Sequence, residues 1–452
     1  MTPTERRAAV SLAAIFTTRM LGLFMILPVF ALYAEHLDGV TPALVGLAIG
    51  IYGLSQAVLQ IPFGLMSDRL GRKPVIAFGL VVFALGSVVA AVADSITGVI
   101  IGRALQGSGA IAAAVMALAA DLTREEHRLK AMATIGASIG LAFTVSLILG
   151  PVLNHWIGVP GIFWLTALLA LVGIAILYLW VPTPGHSQVH RDAEPVLSSF
   201  GAVLRDGELL RLDFGIFTLH MLLTASFVVV PLALRDHAGL ATAFHWVVYL
   251  GVMVVALAAM VPLVIIGEKR RKLKQIFVTA VAMLGVGELL LLLGWESLPG
   301  IVLALLVFFT AFNVLEATLP SLVAKVAPAD KKGTAMGVYS SSQFLGAFAG
   351  GALGGGLHGA LGLSGVFGFC TVAAAVWVAV AATMAPPRYL SSRLLHVGPL
   401  GEAEAMALAE RLRAVPGVEE AVVAGEEGVA YLKVDHQRLA EDALREFSTG
   451  QS

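Results

Sequence analysis

The stretch Gly64-Leu-Met-Ser-Asp68-Arg69-Leu-Gly71-Arg72-Lys73-Pro74 separates two long apolar segments, and it decides how the whole chain is interpreted. Gly71 permits a tight turn with positive φ, and Pro74 suits the first turn of a following helix. The three basic residues are typical of a turn on the cytoplasmic side of a membrane. A plain positive-inside turn explains those basic residues, but it does not explain an aspartate between two glycines.

The composition of the chain requires a membrane. Of its 452 residues 58% are hydrophobic and 13% are charged, and the mean hydropathy is +0.88. A soluble chain of this size could not cover so many apolar side chains, which excludes a cytosolic enzyme, a secreted domain and a disordered chain. The net charge of −1 argues against a nucleic-acid partner. The single cysteine, Cys370, excludes a disulfide framework and a cysteine-based metal site.

Apolar segments long enough to cross a bilayer, which takes about 20 residues, occur twelve times. Their predicted limits are 10–34, 42–66, 74–94, 97–121, 128–152, 160–182, 212–233, 243–266, 275–295, 299–324, 333–357 and 362–385. Nineteen lysines and arginines fall in one set of loops, and one, Arg235, falls in the alternate set. The positive-inside rule therefore predicts a multi-pass protein with both termini in the cytoplasm.

The chain divides into two six-span halves, residues 1–182 and 208–385, which flank a polar cytoplasmic linker, 183–207. The halves share short motifs. The run Pro62-Phe-Gly-Leu-Met-Ser-Asp68-Arg69 matches Pro262-Leu-Val-Ile-Ile-Gly-Glu268-Lys269 at an offset of 200, and Lys130-Ala-Met-Ala matches Thr334-Ala-Met-Gly at an offset of 204. Chance similarity of apolar segments is the alternative. A duplication predicts a substrate site near the bilayer midplane, between halves that rock to give alternating access.

The last segment, residues 386–452, carries 18 charged residues and is predicted to be a small soluble domain. Its pattern predicts a strand, a helix, a hairpin and a second helix at Gln437–Phe447, which indicates a ferredoxin-like unit with a short or missing last strand. The loop after the first strand has no paired cysteines or histidines, so we expect no metal site. Docking on the protein's own cytoplasmic loops, docking on a regulator and small-molecule sensing all stay open.

The opening motif resembles the signature G-x-x-x-D-R-x-G-R-K of the major facilitator superfamily, found between spans two and three. Two further runs are similar to motifs of that superfamily. The run in the predicted fourth span is Arg103-Ala-Leu-Gln106-Gly107-Ser-Gly109, and Gly150-Pro151 in the fifth resembles the glycine-proline motif of proton-coupled drug antiporters. The third match is incomplete, since Ser146 stands where a glycine is usual.

This resemblance, which covers residues 1–385, implies an all-α polytopic fold of twelve transmembrane helices in two pseudo-symmetric halves. It also implies a gate that closes one face of the transporter. In that gate Asp68 faces the start of the eleventh span near Gly333, and Arg72 pairs with Asp121. The residues assigned to the gating motif are Gly64, Asp68, Arg69, Gly71, Arg72, Lys73 and Asp121.

Polar side chains within the predicted spans are functional candidates, because they are costly in a bilayer. The resemblance implies that spans 1, 4, 7 and 10 line the central cavity, and these carry Arg19, Arg103, His220 and Glu316. Glu316, His220 and Arg19 are the proton-coupling candidates. A buried structural role stays open for His220 and for Glu316, and for Arg103 a role in packing and capping carbonyls. Glu288 lies on the peripheral ninth span, where we expect a structural or interfacial role.

A second set of polar residues follows the inner faces of the predicted helices at helical spacing. They either contact substrate or hydrogen-bond to neighbouring helices. The substrate-cavity candidates are Tyr52, Gln56, Asn313, Tyr339 and Gln343.

The leading hypothesis is a secondary active transporter of the bacterial inner membrane that exports small apolar or drug-like molecules in exchange for protons. The alternatives are a proton-coupled importer of a small solute and a membrane receptor that signals through its tail. No phosphate-binding loop or catalytic constellation supports a pump driven by ATP or an enzyme. We therefore expect no cofactor and no metal, with the proton gradient as energy source, and a monomer whose partners are its substrate, protons and lipid.

Overall fold

The structure, a computed structural model, describes residues 1–183, 196–387, 390–425, 428–435, 438–440, 443–444 and 446–447. Residues 184–195 of the predicted linker lie outside this description, as do residues 437, 441, 442 and 445 of the second tail helix predicted at Gln437–Phe447. The bundle comprises α1 (Pro3–Phe24), α2 (Phe30–Ala34), α3 (Pro42–Leu70), α4 (Arg72–Ala91), α5 (Ile96–Ser108), α6 (Ala112–Asp121), α7 (Glu125–Leu179), α8 (Phe200–Val203), α9 (Gly207–Leu232), α10 (His245–Lys269), α11 (Leu273–Gly294), α12 (Leu298–Val326) and α13 (Lys332–Ala382).

Ten helical segments among the described residues are long and apolar enough to cross a membrane, and α5 and α6 together form one of them. The helix α7 has 55 residues, so a straight helix would extend about 80 Å. Both of its ends instead contact the start of α1. The side chain of Arg124 donates to Glu5 at 2.9 Å, and Arg7 donates to the carbonyl of Leu179 at 3.1 Å. The chain therefore reverses direction within α7, at Gly158, which has a φ of 67°.

The helix α13, with 51 residues, folds back in the same way. Gly354 packs against Ala225 of α9, while Cys370 lies 3.8 Å from the next residue of that helix, Ser226. In a straight helix, positions 354 and 370 would be about 24 Å apart. The break is at Gly362, with a φ of 70°. Twelve crossings require α7 and α13 to cross the membrane twice each, and that count enters the proposed function below.

Two spans predicted as continuous helices are interrupted. The segment 10–34 divides where α1 ends at Phe24, and Pro28 lies in the non-helical turn before α2. Proline has no amide hydrogen and cannot extend the helical hydrogen-bond ladder. The segment 97–121 divides at Gly109, whose ψ of 55° ends α5.

Glycines bring the two halves into backbone contact, because a side chain would not fit between the helices. A Cβ on Gly46 of α3 would lie 2.1 Å from the carbonyl oxygen of Gly351 of α13, and one on Gly355 would lie 2.5 Å from that of Pro42. Gly356, the next residue along α13, has open space around its Cβ position. Close packing of α3 on α13 sets the width of the space between the halves.

The tail forms a three-stranded antiparallel sheet with one helix. Its elements are β1 (Ser391–His396), α14 (Glu402–Arg413), β2 (Val418–Ala424) and β3 (Val429–Val434). The strand order is β1-β3-β2, and the sheet packs on α14 through a core that includes Leu412, Ala430 and Leu432. The predicted order of strand, helix and hairpin is found, and the described residues contain three strands.

The tail also contacts the bundle. The amino group of Lys433 in β3 donates to the carbonyl of Lys325 at 2.7 Å, at the end of α12. Val429 and Tyr431 pack with Ala329, in the connection from α12 to α13. A lysine amino group at the last carbonyls of a helix is favoured by the helix dipole, so β3 lies against this connection.

Candidate functional site

A cavity lies between the two halves, with an empty volume of about 870 Å³ that includes space open to solvent. Helices α1, α3, α5, α6 and α7 line it from the first half, and α9 and α13 from the second. The lining is mostly apolar, as in most small-molecule sites. Its polar side chains are Tyr52, Arg103, His220, Thr224, Ser340 and Gln343.

His220 is the centre of the polar group on the second half. Its Nδ1 lies 3.3 Å from the carbonyl oxygen of Ile216, one turn earlier on α9, and its Nε2 lies 2.8 Å from the amide nitrogen of Gln343 on α13. A carbonyl can only accept, so Nδ1 carries the proton there and Nε2 accepts from the amide. This arrangement describes a neutral histidine.

Glu316 of α12 approaches the same histidine. Its Oε1 lies 3.5 Å from Nε2 of His220 and has no hydrogen-bond partner among the described residues. The side chain is one third exposed. Three helices, α9, α12 and α13, thus bring a carboxylate, an imidazole and an amide to one point. If Nε2 of His220 carried a proton, it would donate to Glu316 and could no longer accept from the amide nitrogen of Gln343.

Arg19 is the centre of the polar group on the first half. Its side chain is almost fully buried, and Nη2 donates to the amide oxygen of Gln56 on α3. The guanidinium lies 5.8 Å from the ring centre of Tyr52 and 5.7 Å from that of Phe83. Contacts of this kind with aromatic faces offset part of the cost of burying a cation.

Arg103 faces the cavity beside Tyr52, with its guanidinium 5.2 Å from the ring centre. It donates to the amide oxygen of Gln106 at 3.0 Å. Gln106 in turn donates to Ser87 of α4 at 2.8 Å. The fourth-span motif is therefore one hydrogen-bonded unit, and its Gly107 allows the close approach of α3, because a Cβ there would lie 2.2 Å from the carbonyl oxygen of Tyr52.

Only two of the five substrate-cavity candidates line the cavity. Tyr52 and Gln343 line the cavity, whereas Gln56 is bonded to Arg19. Tyr339 and Asn313 are buried, each with a polar atom that has no hydrogen-bond partner among the described residues. Neither is among the residues that line the cavity.

The gating motif forms a buried charge cluster at the end of the bundle that carries the chain's N-terminus, here called the basic end. Arg72 donates to Asp68 and lies 3.2 Å from Asp121, and it also donates to the hydroxyl of Ser67 at 2.9 Å. The side chains of Arg72 and Asp121 are 2% and 0% exposed. Among the described residues Asp68 has no hydrogen bond to Gly333, so its recorded hydrogen bond is within its own half.

The other motif residues pack around this cluster. Gly71 has the predicted positive φ, 93°, and Lys73 donates to the carbonyl of Val181 at 2.7 Å, while Arg69 is exposed. Glycines at three further motif positions allow close packing. A Cβ on Gly64 would lie 3.0 Å from Ala113, one on Gly109 2.3 Å from Gly79, and one on Gly150, beside Pro151 inside α7, 2.4 Å from Met25.

Two buried acids lie outside the cavity lining. Glu288 accepts from the hydroxyl of Ser226 at 2.9 Å, which joins α11 to α9. Asp213 of α9, which was not a sequence candidate, is buried with one carboxylate oxygen unpartnered among the described residues. Its position seven residues before His220, on the same helical face, was a signal that could have found it. The described residues contain no group of three acidic, histidine or cysteine side chains placed to hold a metal.

The two halves also meet at the end of the bundle opposite the basic end. Arg235 donates both terminal nitrogens to Glu35, at 2.7 and 2.8 Å, which joins the end of α9 to the loop after α2. Arg235 is the one basic residue of the alternate loops in the sequence. Nearer the basic end, Gln60 of α3 donates to the hydroxyl of Ser341 on α13 at 2.6 Å. Contacts between the halves therefore lie on both sides of the cavity.

Comparison with known proteins identifies the class. Residues 12–272 and 212–414 match the Major Facilitator Superfamily, and residues 399–439 match the YajR YAM domain. The chain belongs to the Major Facilitator Superfamily, which confirms the resemblance drawn from its motifs, and it is a multi-pass membrane transport protein.

Individual relatives narrow that class. The chain is 51% identical over 435 residues to the inner membrane transport protein YajR of Escherichia coli (strain K12), an alignment covering 96% of this chain and 95% of that protein. It is 26% identical to the multidrug resistance protein MdtH of Aeromonas salmonicida (strain A449), over 75% of this chain and 84% of that one. The fold matches a bacterial homologue of the human lysosomal transporter Spinster with a TM-score of 0.71 at 13% identity, covering 85% of this chain and 98% of that chain.

Proposed function

We propose that the protein is a proton-driven exporter of small apolar or drug-like molecules that works by alternating access between two six-span halves. The observation that carries this proposal is the approach of Glu316 to His220, which together with Gln343 lines a cavity between the two halves. A carboxylate beside a histidine in an apolar span is a natural proton site. The name of the related MdtH supports a drug-like substrate.

Proton coupling follows from a competition at His220. With Glu316 protonated, the neutral histidine keeps Gln343 as its partner. With Glu316 ionised, a protonated Nε2 would pair with it across the present 3.5 Å. Because the three side chains come from three helices, the choice of partner changes how α12 and α13 are held against α9. Rocking of the halves that alters access to this site would then load a proton on one side and release it on the other.

The orientation belongs to the same proposal. With the basic end in the cytoplasm, as positive charge predicts, the cluster of Arg72, Asp68 and Asp121 is a cytoplasmic gate, and the Arg235–Glu35 contact closes the outer face. Breaking one set of contacts while keeping the other gives the two access states.

Reconstituted proteoliposomes with an imposed pH gradient test the direction of coupling. The probes are apolar and drug-like fluorophores of positive, zero and negative charge. Exchange accumulates a fluorophore in the acidic compartment, whichever way the protein is inserted, whereas symport accumulates it in the alkaline one and supports the importer. If a pH gradient of either direction moves none of the fluorophores, the receptor alternative is favoured.

Substitution of Glu316 tests the proton site. Glu316→Gln keeps the shape and removes the titration, so accumulation against a gradient should be lost while exchange that needs no gradient persists. The exposed Glu296, mutated to Gln, is the matched control. Unchanged accumulation with unchanged pH dependence in Glu316→Gln would place the proton site elsewhere.

A further inference from the structure

Hydrogen-bond donors around Arg19 outnumber the acceptors that the described residues offer them. Nε and Nη1 of Arg19, the hydroxyl of Tyr52 and the amide nitrogen of Gln56 are all buried, and none of them has a hydrogen-bond partner there. Buried polar groups are normally hydrogen-bonded, and an unpaired buried charge is especially costly. Arg19 and Gln56 satisfy each other only once, through Nη2. The group that completes this cluster must therefore supply acceptors.

Two positive charges with neutral partners lie beside Tyr52, Arg103 in the cavity lining and Arg19 buried behind it. Arg103 bonds to Gln106 and to the carbonyl oxygens of Ala48 and Ile49, the latter two at 3.4 Å. Among the described residues neither Arg103 nor Arg19 forms an ion pair with a carboxylate. The ring of Tyr52 lies between the two guanidiniums, 5.2 Å from one and 5.8 Å from the other. The field at Tyr52 thus favours an anion.

We propose that the cavity selects an amphipathic organic anion, with its carboxylate held by Arg103, Arg19 and the Tyr52 hydroxyl. This inference rests on the proposed transport function and specifies its substrate class. A carboxylate has two oxygens that accept charge-assisted hydrogen bonds, matching the chemistry of the open donors. The apolar body of the ligand lies against the side chains that form most of the lining, among them Phe24, Leu223 and Phe344.

A rival explanation of the unpaired donors is that Arg19 forms an ion pair with Glu316 in another conformation of the protein. In that case the protein would carry its own anion, and the charge of the ligand would not matter. Glu316 lies against His220 on the opposite side of the cavity, where α9 and α13 form the wall. The two explanations therefore differ in one measurable property, the dependence of binding on ligand charge.

Three probes that share one ring system isolate that charge: 1-naphthaleneacetate, 2-(1-naphthyl)ethanol and 2-(1-naphthyl)ethylammonium. Their affinities are measured by calorimetry on the full chain in detergent, where no gradient acts. We expect the carboxylate to bind about tenfold or more tightly than the alcohol and the ammonium. In Arg19→Gln the carboxylate should lose about tenfold in affinity, with the alcohol unchanged. Arg19→Lys should recover part of the loss.

The alcohol also reports whether Arg19→Gln still folds, and the exposed Arg205, mutated to Gln, is the matched arginine control. Equal affinity for the three probes, a preference for the ammonium, an unchanged preference in Arg19→Gln or failure of the carboxylate to bind would each overturn the proposal. Charge selection that fails while a pH gradient still drives transport rejects this inference alone. Carboxylate-selective binding without coupled transport rejects the proton-driven mechanism alone.

Discussion

Asp68 and Glu268 occupy equivalent positions in the two halves, 200 residues apart, yet their surroundings differ. Asp68 shares Arg72 with Asp121 in a cluster where the Arg72 and Asp121 side chains are almost completely buried. Glu268 pairs with Lys325 at 3.2 Å, and these side chains are 43% and 19% exposed. The first-half contact contains two buried side chains, Arg72 and Asp121, beside an Asp68 side chain that is 25% exposed, whereas both side chains of the second-half contact reach the surface.

The partners of the two acids are equivalent as well. Asp121 and Lys325 are 204 residues apart, the offset that also relates the two chain reversals at Gly158 and Gly362. The acid that ends α6 is thus replaced by a base near the end of α12. Under the predicted duplication, the charge contact keeps its place in the two halves, while its sign and its burial differ. Because burial decides how strongly such a contact affects the fold, the two halves should respond differently to its removal.

The largest effect is expected for Arg72→Gln, which removes the cation beside the buried Asp121 carboxylate. Breaking a buried ion pair by removing one partner costs about 3–5 kcal/mol, and we expect that loss in the free energy of unfolding of the full chain. Denaturant titration in detergent measures it. The exposed neighbour Arg69, mutated to Gln, should change little. A loss below about 1 kcal/mol in Arg72→Gln would mean that the cluster does not stabilise the fold.

The next effect is on transport. Asp68→Asn keeps the size and hydrogen bonding of the side chain but removes its charge. Without that charge, the electrostatic energy of the cluster no longer distinguishes the open gate from the closed gate. Transport should fall about tenfold or more, equivalent to about 1.4 kcal/mol, with expression near that of the wild type. Initial rates in proteoliposomes at equal protein content measure this. Wild-type rates in Asp68→Asn would contradict the gate.

The sequence predicts the parts of this comparison that depend on local patterns. Span length and loop charge gave the helices, and Gly71 and Pro74 gave the turn between α3 and α4. The pairing of Arg72 with Asp121 followed from the family resemblance, and the geometry contains it. The unequal burial of the residues that surround Asp68 and Glu268 could not be read from two similar motifs, because burial depends on which other segments pack over them.

In the cavity, too, local sequence patterns predict which residues matter but not which residues they contact. Arg19, Arg103, His220 and Glu316 are conspicuous in apolar helices, and the structure brings His220 to Glu316. Among the described residues it brings no acid to Arg19, another proton-coupling candidate, whose hydrogen-bond partner is Gln56. Periodicity places a side chain on a helical face, but its partner depends on the rotation and spacing of helices, which glycine contacts such as Gly46 on Gly351 determine.

A smaller effect is expected for Glu268→Gln, the counterpart of Asp68 on the second half. An exposed ion pair is worth about 0.2–1 kcal/mol and is screened by salt, so the free energy of unfolding should fall by no more than that. The difference from wild type should shrink at high ionic strength. Unfolding titrations at low and high salt measure both. A loss as large as that of Arg72→Gln would show that the two clusters are equivalent despite their burial.

The smallest effect is expected when the chain is truncated after Ala385, because the tail has its own core and the bundle has its own. The tail contacts the bundle at its surface: Arg271, in the connection from α10 to α11, lies 3.7 Å from Asp435, Tyr431 packs near Ala329, and Lys433 donates to the carbonyl of Lys325. The truncated chain should therefore insert and stay monodisperse in detergent, as size-exclusion chromatography would show. Lys433→Met in the full chain separates the loss of that contact from the loss of the domain. Aggregation of the truncated chain, under conditions in which the full chain and Lys433→Met remain monodisperse, would show that the bundle needs the tail to fold.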